Sequence, residues 1–122
     1  MLLIDAANVV GSRPTGWWRD RAGAARAFVE RVRAAVESGR IAQPVTVVLE
    51  GKAREGAQAG LAEGVTVLHA GGSGDDMLID VVANACDQEV TLVTADRELR
   101  RRAEALGADV VGPGWLLERL EQ

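Results

Sequence analysis

Cysteine, tyrosine and a charge surplus are nearly missing from this chain of 122 residues, and each absence closes a class of function. One cysteine, Cys86, cannot form an internal disulfide, and its place on an apolar helical face suits a small buried hydrophobe better than a nucleophile. No tyrosine and one phenylalanine leave the aromatic load to Trp17, Trp18 and Trp115. No apolar run is long enough to cross a bilayer, and the opening residues MLLID lack a basic segment followed by an apolar one. Neither a spanning helix nor a signal peptide is therefore expected, and a cytoplasmic protein is the default. A net charge of −4 argues against a protein that coats nucleic acid by charge alone. Phosphate-loop binding is also disfavoured. Gly71-Gly72-Ser73-Gly74 lacks the Lys and Ser/Thr of that motif, and no G-x-G-x-x-G follows the first apolar run.

What the chain has is one domain's worth of core. Hydrophobic residues make up 48% and charged residues 26%, the balance of a globular chain, and the length predicts a single domain over 1–122. Buried strands are predicted at Leu2 to Asp5, Val45 to Glu50, Val65 to His69, Val90 to Thr94 and Val110-Val111, all short and rich in branched side chains. Helices are predicted between them. Ala25, Phe28, Val29, Val32, Ala35 and Val36 make one apolar face, closed by Gly39. Met77, Leu78, Val81, Val82 and Ala85 make a second. Asp96 to Leu106 ends at Gly107, and Pro113 opens a last helix through Trp115, Leu116 and Leu120. Ala6 to Asp20 is expected to be a long loop, and Ala53 to Ala62 a weak helix interrupted by glycine. Strands alternating with helices predict a mostly parallel sheet of about four to five strands, covered on both faces.

Acidic residues recur where these apolar runs stop. Asp5, Glu50 and Asp96 each follow one, and Asp75-Asp76 opens the helix after the glycine stretch. In an open parallel sheet the ends of the strands face one crevice, so acids placed there converge. Converging carboxylates suit Mg²⁺ or Mn²⁺, which prefer oxygen ligands and keep several waters. Asp76 and Asp80, four apart on a helix, lie about 5–6 Å from each other and can reach one ion or adjacent ions. The plainer role for such acids is helix capping. Asp75 and Asp96 fit it well; Asp5 fits it poorly, because no helix is predicted to follow it directly.

The ordered motifs resemble the NYN branch of the PIN-like nucleases. Asp5-Ala6-Ala7-Asn8 after the first strand is similar to that family's Asp-x-x-Asn opening, and Asp76-Met77-Leu78-Ile79-Asp80 to its Asp-x-x-x-Asp/Glu helix. Val48-Leu49-Glu50-Gly51 resembles its second acidic strand end, with Glu in place of the usual Asp. Thr94-Ala95-Asp96-Arg97 resembles its Ser/Thr-x-Asp segment. The resemblance implies a three-layer α/β/α PIN-like fold and divalent-metal-dependent endonucleolytic cleavage of RNA, in single-stranded or loop regions. It implies Asp5, Asp76 and Asp96 as the principal metal ligands, with Glu50 and Asp80 completing the acidic ring. One ion would activate a water and a second would stabilise the leaving oxygen. Asn8 would position the loop or a phosphate, and Thr94 would hydrogen-bond a neighbouring carboxylate. Each also has an ordinary structural reading, Asn8 as a turn residue and Thr94 as a strand end that caps a helix.

Candidate substrate contacts are Arg97, for a phosphate, Trp17, for stacking on a base, and Arg13 from the basic first third of the chain. Trp17 also suits packing against the sheet, and His69 suits a structural hydrogen bond. Two other functions use the same residues. One is a catalytically inactive RNA-binding or assembly module, and the other is a small nucleotide phosphohydrolase. The apolar last helix allows a homodimer.

Overall fold

The computed structural model describes residues 1–85 and 87–121; the reading of Cys86 as a buried hydrophobe therefore lies outside the described residues. Six strands form one sheet in the order β3-β4-β2-β1-β5-β6. They are β1 (Leu2–Asp5), β2 (Val45–Leu49), β3 (Gly60–Ala62), β4 (Val65–His69), β5 (Thr91–Val93) and β6 (Asp109–Val111). All neighbours are parallel except β3 and β4. Five α-helices accompany them: α1 (Ala6–Val10), α2 (Arg21–Glu37), α3 (Gly74–Asn84), α4 (Arg97–Ala105) and α5 (Pro113–Leu120). The architecture is the expected α/β one.

Alternation along the central strands divides the interior into two cores. Ile4, Val47, Leu49 and Val67 pack with Phe28, Val29 and Val32 of α2, Val9 of α1 and Leu116 of α5. Leu3, Val48 and Leu92 point the other way, onto Leu78 and Val82 of α3 and Leu99 and Ala103 of α4. Because successive side chains of a strand face opposite sides, both faces must be apolar when helices cover both. That requirement explains the unbroken branched runs in the sequence. It also gives the three layers: α1, α2 and α5 on one side, the sheet, and α3 and α4 on the other.

Two segments depart from the sequence-based expectation. Ala6 to Asp20 is not loop throughout: α1 follows Asp5 without a break, and a 3₁₀ turn spans Trp17–Arg19. A helix of five residues shows little more than one apolar repeat, here Ala6 and Val9, which is too short for a period to be read. The stretch expected as a weak helix over 53–62 divides into a 3₁₀ turn at Gly51–Gly56 and the exposed strand β3, which makes the sheet six-stranded. Its glycines explain the change. A Cβ on Gly56 would stand 2.4 Å from the Ala22 carbonyl oxygen, so glycine lets this turn sit directly on α2. Glu63 and Gly64, with φ of 52° and 80°, form the two-residue link of the β3–β4 hairpin, where both central residues need positive φ.

Register brings the strand ends into line. Asp5 stands opposite Val48 on β2, Ile4 opposite Val93 on β5, and Leu49 opposite His69 on β4. Asp5, Glu50 and Thr94 thus share one edge of the sheet, beside the helices that start there.

Candidate functional site

Asp5 is the centre of that edge. It is the last residue of the central strand, only 7% exposed, and held on both carboxylate oxygens. Oδ1 accepts the backbone N–H of Asn8 at 3.3 Å, which makes Asp5 the N-cap of α1. Oδ2 accepts the hydroxyl of Thr94 at 3.0 Å, in a buried bond between adjacent strand ends. The capping role judged unsuitable for Asp5 is therefore present, because a helix does follow it. Burial raises its carboxyl from 3.8 to about 6; the bonds from Thr94 and Asn8 oppose that rise, and the charges of Asp75 and Glu50 add to it.

Thr94 and Asn8 tie the neighbouring loop to Asp5. The Thr94 oxygen accepts the Asp96 N–H at 3.2 Å while its hydroxyl donates to Asp5. Asn8 accepts the Ala95 N–H on its side-chain oxygen at 2.7 Å, joining α1 to the β5–α4 connection. Asp96 in turn caps α4, accepting the Leu99 N–H at 3.0 Å. Glu50 caps from a distance. Its Oε2 takes the N–H of Gly74 at 2.6 Å, satisfying the first residue of α3, whose own N-cap Ser73 makes no such bond. Among the described residues, Oε1 of Glu50 and Oδ2 of Asp96 accept no hydrogen bond and remain available.

The second acid of the α3 start, rather than the first, was expected in this crevice; the structure places them the other way round. Asp75 is partly buried, and its carboxyl is raised by desolvation and then by the charges of Asp96, Glu50 and, least, its neighbour Asp76, against the pull of Arg102. Asp76 has a side chain 83% exposed and pairs with Arg102 at 3.3 Å. Asp80 is exposed and lies beside Met1, Leu68, Met77 and Val81, on the far flank of α3. Helical phase is the reason. Asp75 is three residues from Leu78, which is fully buried, whereas Asp76 and Asp80 share the exposed side. Buried Gly74, Leu78 and Val82 at intervals of four carried that signal in the sequence.

The carboxylates of Glu50 and Asp75 act on Asp5, and those of Asp96, Glu50 and, least, Asp76 act on Asp75, so Asp5, Glu50, Asp75 and Asp96 share this end of the sheet. Among the described residues no group of three or more His, Cys, Asp or Glu side chains is gathered closely enough to hold an ion alone. The donor set is nonetheless all oxygen, and its mutual repulsion is partly uncompensated. Those features fit a hard cation such as Mg²⁺, which takes one or two carboxylates directly and reaches others through its waters.

Of the candidate substrate contacts, Trp17 shares a cavity with the crevice acid Glu50, and Arg97 adjoins the crevice acid Asp96 in sequence. Arg97 follows Asp96, is exposed, and makes no ion pair among the described residues, whereas Arg100, Arg101 and Arg102 pair with Glu104, Glu98 and Asp76. Trp17 lines a cavity of about 440 Å³ that also reaches Glu50. Arg13 is elsewhere: it pairs with Glu121 near the end of α5. His69 bonds the Ala57 carbonyl through Nε2 at 2.7 Å, a structural contact.

No family model and no curated protein matches the chain. Its fold does match a solved structure, the crystal structure of Rae1 (YacP) from Bacillus subtilis in a W164L mutant. The TM-score is 0.73 over 98% of this chain and 74% of that one, at 18% identity. At that identity the likeness is one of fold. None of the described helices is long and apolar enough to cross a membrane.

Proposed function

We propose that this protein is a divalent-metal-dependent ribonuclease, acting endonucleolytically on single-stranded or loop RNA through the acidic crevice. The observation that carries the reading is Asp5. A carboxylate buried at the end of the central strand, held on both oxygens and pushed up to about 6 by burial with the charges of Asp75 and Glu50 adding, is a poor choice for stability alone. The resemblance of Asp5-Ala6-Ala7-Asn8 and Thr94-Ala95-Asp96-Arg97 to PIN-like nucleases supplies the reaction class, and the fold shared with Rae1 is compatible with it.

Asp5, Asp75 and Asp96 would hold Mg²⁺ or Mn²⁺, with Glu50 at the border; Asp75 replaces Asp76 in the set the sequence suggests. A bound ion would supply Lewis acidity and lower the pKa of an attacking water. The protein's own contribution is placement. Thr94 fixes the Asp5 carboxylate, Asn8 fixes the loop that carries Asp96, and Arg97 offers a free guanidinium to a phosphate.

The test is cleavage of a single-stranded RNA by the purified protein with Mn²⁺ or Mg²⁺, abolished by EDTA. Asp5→Asn together with Asp96→Asn should abolish it as well. Asn is itself a good N-cap, so α1 and α4 keep their starts. Undiminished cleavage by that double variant overturns the assignment.

The lack of a tight three-carboxylate group among the described residues favours one second reading, an RNA-binding module without turnover. Such a module binds RNA equally well with and without a divalent ion and cleaves none. Mononucleotides assayed beside RNA separate a phosphohydrolase from both.

A further inference from the structure

The cavity beside the acidic crevice is not accounted for by metal or phosphate chemistry. It measures about 440 Å³, within the roughly 300–1,000 Å³ of small-molecule pockets. Ala7 and Val10 of α1, Leu49 at the end of β2 and Ala53 of the following turn form apolar walls, and the indole of Trp17 forms another. The Arg21 guanidinium lies over that indole, 5.4 Å from its centroid. The polar rim is the carboxylate of Glu50, with a free Oε1, and the hydroxyl of Ser73.

This composition selects against a phosphate and for a nucleobase. A phosphate entering here would leave water for apolar walls and meet Glu50, with one guanidinium to offset both. The Trp17 indole is already stacked by Arg21 and met at right angles by Trp18, so a base would use the part of it that lines the cavity, with ring N–H or amino donors turned to Glu50 and Ser73. Glu50 belongs to the pocket rim and to the acidic set alike, so a nucleotide whose base fills the pocket has its backbone at the crevice.

We infer that the Trp17–Arg21 cavity is a base pocket that takes one unpaired nucleobase of an RNA strand next to the scissile phosphate. This rests on the reading of the crevice as a site of RNA cleavage. It makes Trp17 a determinant of where the strand is cut, because the strand is registered by the inserted base.

The experiment uses the full chain and a short single-stranded oligoribonucleotide, beside the same strand with one abasic nucleotide moved through each position. Binding is measured in EDTA, where the proposed hydrolysis is stopped, and the indole N–H signal of Trp17, assigned with Trp17→Phe, is followed by NMR. The intact strand should shift the Trp17 signal and leave Trp115 unmoved. One abasic position should weaken binding by about tenfold or more, the range expected for losing a stacked base. Trp17→Ala should weaken binding by a similar factor. Should Trp17→Ala unfold, Ala7→Phe, on an exposed helical position, fills the pocket and should give the same loss. Binding that ignores every abasic position, or RNA that binds without moving Trp17, overturns the pocket even if the protein cleaves RNA. Base binding as described, without cleavage in Mn²⁺, sustains the pocket and overturns the nuclease reading. No binding of RNA in EDTA overturns the pocket, while cleavage in Mn²⁺ tests the nuclease reading separately.

Discussion

Asp5→Asn is expected to make the metal-free protein more stable at neutral pH while removing its proposed activity. Burial, with Asp75 and Glu50 adding, raises the Asp5 carboxyl from 3.8 to about 6, so the folded state holds the proton more tightly than the unfolded chain does. Below about pH 4 both states are protonated and the group has no effect; the penalty grows between about pH 4 and 6 and is complete above that. At about 1.4 kcal/mol for each tenfold change in proton affinity, the full penalty is on the order of 3 kcal/mol. Asn keeps an acceptor for the Asn8 amide, and its amide group can still bond the Thr94 oxygen. Imperfect geometry in those two bonds, worth about 1 kcal/mol each, brings the expected gain to about 1–3 kcal/mol. For a domain of this size that is roughly 4–12 °C in Tm. Urea and thermal unfolding of both proteins in EDTA, at pH 7.5 and pH 4, measure it. The gap should be large at the higher pH and close at the lower. A variant less stable than its parent at pH 7.5, or a gap that does not change with pH, refutes the claim that the fold opposes this charge.

Three further outcomes follow from the same geometry. Thr94→Val removes the hydroxyl bonded to Asp5, so the Asp5 carboxyl should titrate higher still by ¹³C NMR, with a loss of about 1–2 kcal/mol in urea unfolding at pH 7.5. Asp75→Asn should reduce RNA cleavage by about 10–100-fold, the usual effect of disturbing a metal site, whereas Asp76→Asn and Asp80→Asn should leave initial rates nearly unchanged; equal losses at all three would contradict the orientation of α3. Arg97→Ala should raise KM for RNA by about tenfold or more, as a charge-assisted bond contributes about 1.5–3 kcal/mol, while urea midpoints stay within about 0.5 kcal/mol of the parent.

The layered α/β fold is legible because its strands are buried on both faces and read as plain apolar runs, Leu2 to Ile4 and Val45 to Leu49 being examples. Elements shorter than their own period are not legible in that way. Helix α1 and strand β3 have five and three residues, and only packing distinguishes them from loop. The choice between Asp75 and Asp76 is a difficulty of a different kind. Both residues are acidic and adjacent, so motif order cannot separate them, but one step along a helix turns a side chain by about 100°. The fully buried Leu78 fixes the phase of α3, which turns Asp75 inward and Asp76 to solvent. Trp17 shows a third limit: its sequence neighbourhood allows stacking or packing, and the cavity beside it exists only once α1, α2 and the turn after β2 are assembled.

Capping and a functional site are usually weighed as alternatives for an acid at a helix start, yet here the caps are the same residues as the proposed site. Asp5 caps α1, Asp96 caps α4, and Glu50 takes the first amide of α3. The helix starts are what bring the carboxylates together, since each acid must stand where its amide points. The positive helix ends also offset part of the crowded charge, by about 0.3–1 kcal/mol each. The roughly 3 kcal/mol opposing Asp5, chiefly desolvation with smaller contributions from Asp75 and Glu50, is what is left with its Asn8 and Thr94 bonds already made, and α1 is too short to contribute a full dipole. The cost of this buried charge therefore remains after every cap is made. A divalent cation would relieve it, and neutralising Asp5 would relieve it too, so the two should be mutually exclusive. Mn²⁺ should raise the Tm of the parent at pH 7.5 and leave that of Asp5→Asn nearly unchanged. If both proteins respond equally to the ion, the crevice is not where it binds.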